Sequence, residues 1–77
     1  MDREMEVKEK VRTILSVFLR AEFAISFNFN YRTLRIMWTG GPRKEAVKSA
    51  LIEFVESSSL VQKVILERDD GVKTWVL

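Results

Sequence analysis

Six residues near the middle of the chain have the types and spacing to hold an anion: Arg32, Arg35, Gly40, Gly41, Arg43 and Lys44. Paired glycines before a helix leave backbone N–H groups open to a phosphate, and arginine and lysine add charge beside them. From Phe23 to Lys44 no acidic residue is present to neutralise these cations. The spacing is not that of a P-loop, and Pro42 removes one backbone donor. A tight strand-to-helix turn with solvated basic residues is the simpler reading of the same corner. Two cations at a helix start oppose its dipole, which points mildly towards another use for them.

Other chemistry is narrowed by what is missing. The 77 residues include no Cys and no His, so there is no thiol nucleophile, imidazole base or common zinc-ligand set. No spaced carboxylate cluster suggests a metal site, and no cofactor motif is present. Ser57, Ser58 and Ser59 have no base nearby in the sequence and read as a linker. A non-enzymatic protein is therefore expected. The charged, amphipathic first twenty residues do not resemble a signal peptide, and no apolar run reaches membrane-spanning length. A soluble, cytoplasmic, single-domain chain spanning residues 1–77 is expected, without membrane contact. Net charge is only +2, too small to imply nucleic acid by itself.

The elements that must position these residues follow from hydrophobic period. Residues 2–20 predict a helix, with Asp2 as N-cap and Val7, Val11, Ile14, Leu15, Phe18 and Leu19 along one face. Residues 24–30 and 33–39 alternate as two strands. A two-residue loop at Tyr31 and Arg32 pairs Phe29 with Leu34, Phe27 with Ile36 and Ile25 with Trp38; a four-residue loop keeps the same parity. Gly40, Gly41 and Pro42 then break the strand. A second helix runs to about Glu56 with Ala46, Val47, Ala50, Leu51, Phe54 and Val55 inside and Ile52 off that face. Asp70-Gly71 predicts a type I′ turn that pairs Leu66 with Trp75 and Val64 with Leu77. The order is αββαββ. The expected fold is α+β, a four-stranded antiparallel sheet with two helices packed on one face. Its core is expected to include Val11, Phe18, Phe27, Ile36, Trp38, Leu51, Phe54, Leu66 and Trp75.

The opposite sheet face then carries Ser26, Asn28, Arg35, Met37 and Thr39 from the first hairpin. Lys63, Ile65, Glu67, Thr74 and Val76 come from the second. Base-stacking aromatics are absent there, because Phe27, Phe29, Trp38 and Trp75 share the core parity. A mixed apolar and polar face suits a protein contact, so Arg35, Met37, Ile65 and Val76, with Ile52, form the expected interaction surface. An ordinary solvated face is the competing reading. Met37, Ile65 and Val76 would also support a weak homodimer.

The segment at residues 25–47, ISFNFNYRTLRIMWTGGPRKEAV, resembles the large polyvalent-protein-associated domain family LPD29. Ile36, Trp38, Thr39, Gly41, Pro42, Glu45 and Val47 carry the resemblance, while Gly40 stands where that family commonly has Asp. The resemblance implies an accessory protein of a phage or mobile element that binds a macromolecule. It transfers no catalytic residue. A small inhibitor of host defence, such as an anti-CRISPR protein, suits that setting and this size. The function expected is thus protein binding. The alternative is a nucleic-acid-binding protein using the basic residues between 32 and 44.

Overall fold

The structure, a computed structural model, describes residues 3–77. Six elements follow the expected order: α1 (Arg3–Leu15), β1 (Ala24–Asn28), β2 (Thr33–Trp38), α2 (Lys44–Ser57), β3 (Lys63–Arg68) and β4 (Gly71–Val76). Asp2, the expected N-cap of the first helix, lies outside the described residues.

Helix α1 buries Val7, Val11 and Leu15, one residue per turn on a single stripe. It stops five residues earlier than the periodicity suggests. Thr13 and Ser16 turn their hydroxyls back onto the carbonyls of Glu9 and Thr13, competing with further helix, and Arg20 takes a positive φ of 71°. Leu19, expected on the buried face, is therefore exposed. Phe18 is half-buried and meets Phe23, which in turn packs on Trp38 with ring centroids 5.5 Å apart.

The sheet has the order β1-β2-β3-β4, and β2 and β3 run parallel. The expected all-antiparallel sheet is thus corrected to a mixed one. The reason lies in the length of α2. Its 14 residues span about 21 Å, enough to return the chain along the whole of a six-residue strand of about 20 Å. Strand β3 consequently restarts at the same end as β2, as a helical crossover requires.

Both hairpins keep the expected parity but shift register by two residues. In the first, Phe27 pairs with Leu34 and Ile25 with Ile36, closed by a four-residue loop. Asn28 sets that loop by accepting hydrogen bonds from the backbone N–H groups of Asn30 and Tyr31. In the second, Val64 pairs with Trp75 and Arg68 with Gly71, so Asp69 and Asp70 form the turn and Gly71 enters the strand. Because a two-residue slip preserves which face each side chain occupies, the core survives it. Phe27, Leu34, Ile36, Trp38, Val64, Leu66 and Trp75 pack against Val47, Leu51 and Val55 of α2 and the α1 stripe. Phe54 is only half-buried, Ala46 is exposed, and Ile52 packs partly against the core.

Candidate interaction surface

The strand registers place the outward side chains on a grid of three rows. Ala24, Met37, Glu67 and Val72 form one row; Ser26, Arg35, Ile65 and Thr74 the next; Asn28, Thr33, Lys63 and Val76 the last. The face opposite the helices is uncovered, and Met37, Val72 and Val76 are 36%, 58% and 70% exposed on it. Met37, Ile65 and Val76 lie on one diagonal. Arg35 and Glu67 lie across it, and the Arg35 guanidinium donates to both Glu67 carboxylate oxygens at 3.1 and 3.2 Å. An exposed pair of this kind contributes roughly 0–1 kcal/mol, yet it neutralises the central cation of the face and separates Met37 from Ile65.

Of the expected interaction residues, Arg35, Met37, Ile65 and Val76 do share this face. Ile52 does not, because it belongs to the helical layer behind the sheet and is half-buried there. Val72 was missed by sequence reasoning. Its parity with Thr74 and Val76 was available as a signal, but the turn assigned to Asp70-Gly71 placed it at the strand margin.

The basic stretch is divided by the fold. Gly40 and Gly41 both adopt positive φ, 61° and 60°, which turns the chain sharply after β2. The N–H that was expected to receive an external anion donates instead to the Asp69 carboxylate at 3.0 Å. The carbonyls of Gly40 and Gly41 accept from Arg68, and Arg68 also pairs with Asp70 at 2.9 Å. Lys44 donates to Asp70 at 2.6 Å, and Lys73 of β4 pairs with Glu45 at 2.8 Å. The Lys44 hydrogen bond, with Arg68 nearby, holds the Asp70 carboxyl below its ordinary range. The Lys73 hydrogen bond does the same for Glu45.

Among the described residues Arg32 and Arg43 make no ion pair, but they stand at opposite ends of β2, a six-residue strand about 20 Å long. Arg43 occupies the N-cap position of α2 without a side-chain cap bond. Arg32 sits in the first hairpin loop beside the exposed Tyr31. The carboxylates that satisfy the glycine corner come from residues 26 to 29 positions away, so a local reading of residues 32–44 could not find them. Among the described residues no group of three or more Asp or Glu side chains lies together as a metal ion would need. No described helix is long and apolar enough to cross a membrane.

No protein-family model matches the chain, and no curated protein or solved structure is significantly similar to it.

Proposed function

We propose that this chain is a non-enzymatic interaction module that holds another protein against the uncovered face of its sheet. The observation that carries this reading is the pattern of exposure on that face. Val72 and Val76 stand largely in water, Met37 is about a third exposed beside them, and the central Arg35 is already neutralised by Glu67. A mixed face, with Met37, Ile65, Val72 and Val76 among Ser26, Asn28, Thr74 and Lys63 and its central cation paired, suits a protein partner better than a polyanion. The resemblance of residues 25–47 adds a setting, an accessory protein of a phage or mobile element, including an inhibitor of host defence. That setting rests on the segment alone.

Nucleic-acid binding through Arg32, Arg35, Arg43 and Lys44 has less support. Arg35 and Lys44 have internal carboxylate partners, and the two unpaired arginines flank opposite ends of a strand.

The test is capture of protein from a bacterial lysate by the immobilised chain, at low salt and at about 0.5 M salt, where screening is nearly complete beyond ~4 Å. Specific capture should persist at high salt and be lost with Val76→Lys, whose circular dichroism should match the unsubstituted protein. Capture that survives both Val76→Lys and Met37→Lys would reject the face. Recovery of nucleic acid alone, released by salt with a slope of about 0.9 per phosphate contact, would favour the rival reading.

A further inference from the structure

We propose that β1 is a self-association edge, through which two copies of this chain pair antiparallel about a two-fold axis at Ser26 and merge their sheets. This association uses the backbone edge of the sheet and does not rest on the function proposed above, although Ala24, Ser26 and Asn28 also turn their side chains to the uncovered face.

The sheet has two edges, β1 and β4, and they are guarded differently. On β4, Lys73 points to the helical side and pairs with Glu45, and Gly71 takes a φ of 139°. An inward-pointing charge and irregular strand geometry are features that stop edge-to-edge pairing. Strand β1 reads Ala24-Ile25-Ser26-Phe27-Asn28 and has no charge and no proline. Each of its residues matches one residue of β2, so no bulge bends it away. Alternate residues of such an edge turn their N–H and C=O groups outward as an open ladder.

There is also room beside it. Ser26, Phe27 and Asn28 line a hollow of about 560 Å³ that runs from Glu4 and Tyr31 onto the uncovered face at Arg35 and Ile65. Ile25 and Ala24 line two further hollows, of about 440 and 490 Å³, that both reach Phe23.

A second copy is the occupant that the chemistry of the strand fits. In antiparallel register centred on Ser26, Ile25 of one copy faces Phe27 of the other and Ala24 faces Asn28. No like charges oppose each other over that span, and the apolar pair Ile25 and Phe27 meets on the helical side. A neutral strand offers nothing to select a charged foreign segment, whereas it is complementary to itself. Five residues form a short ladder, below the ~1,000 Å² of a stable interface, so the dimer is weak.

The absence of cysteine makes the test clean, because an introduced thiol is the only one. Under mild oxidation Ser26→Cys should cross-link to a dimer about tenfold faster than Thr74→Cys, which lies in the same row on β4. Sedimentation equilibrium up to about millimolar concentration should show a dimer that Ser26→Lys weakens about tenfold or more without shifting the thermal midpoint. If Ser26→Lys does not fold, the two cysteine variants decide alone. Equal cross-linking rates, or a chain monomeric throughout, would overturn the proposal. So would association that survives Ser26→Lys but is lost with Val76→Lys, which assigns it to the uncovered face.

Discussion

The two ends of the sheet use similar residues and differ in what those residues meet. Where β2 and β3 finish, Arg68, Lys44, Asp69, Asp70 and the Gly40–Gly41 backbone form one connected set of hydrogen bonds and ion pairs. Trp38 joins it, buried at 5% exposure with its indole N–H donating to the Pro42 carbonyl at 2.9 Å. Where the same strands begin, the loop at residues 29–32 is tied mainly by Asn28 and by the Arg32 carbonyl, which accepts from Gln62 and Lys63. There Tyr31 is 74% exposed and Arg32 makes no ion pair among the described residues. A cation beside a glycine corner is thus structural at one end, and a cation beside an aromatic is available at the other. Charge counted along the sequence does not separate the two cases; the partners do.

The largest expected contrast is between the aromatic residues of the two ends. Trp38→Ala removes a buried side chain and an indole hydrogen bond and is expected to cost about 3–5 kcal/mol. A domain of 77 residues has a total stability of roughly 4–12 kcal/mol, so this variant should lose between about a quarter and all of it. Tyr31→Ala should stay within about 0.5 kcal/mol of the unsubstituted protein. Urea titrations of both variants measure the difference. Similar midpoints would break the comparison at its strongest point.

Next in size is the pair of arginines. Arg68→Met keeps the aliphatic stem but leaves the Gly40 and Gly41 carbonyls and Asp70 without the guanidinium. The Arg68 side chain is only 18% exposed while Asp70 is 51% exposed, so the bonds to the glycine carbonyls carry most of the loss, about 1.5–3 kcal/mol. At roughly 4–8 °C per kcal/mol for a domain of this size, the melting shift is easily resolved. Arg32→Met should change the melting temperature by much less, since no ion pair is broken. A larger shift for Arg32→Met would mean that the loop end is not the free one.

How much of this was legible follows from the range of each interaction. Element order and sheet faces depend on local period, and Phe27, Ile36, Trp38 and Leu66 lie in the core as their alternation predicts. Strand register depends on the turn: the first hairpin takes the four-residue alternative rather than the two-residue loop, and the second turn lies one residue earlier than Asp70-Gly71. The side chain of Asn28 makes a four-residue loop favourable, and Asp69 is drawn into the second turn by its bond to Gly40. The parallel pairing of β2 with β3 could have been read from the length of the intervening helix. The fate of the basic stretch could not. Glu67, Asp69 and Asp70 neutralise or satisfy residues some thirty positions earlier, and nothing between residues 32 and 44 announces them.

The smallest effect, and the sharpest test of the connected end, is its pH dependence. Asp70 is held below its ordinary value by the Lys44 hydrogen bond and by Arg68, and Glu45 by the Lys73 hydrogen bond. A carboxyl with a lower pKa in the folded state binds fewer protons there than in the unfolded chain, so stability rises with pH across that interval. The contribution is complete above the unfolded carboxylate range and disappears as pH falls through the lowered folded values. Both groups are exposed, which keeps the effect modest and sensitive to salt. Melting temperatures measured from neutral pH to about pH 3 should therefore decline on acidification, and the Asp70→Asn, Glu45→Gln double variant should decline less steeply. The variant is expected to start lower at neutral pH and to converge with the unsubstituted protein in acid. Parallel curves would show that Lys44 and Lys73 do not stabilise the end at which they are paired.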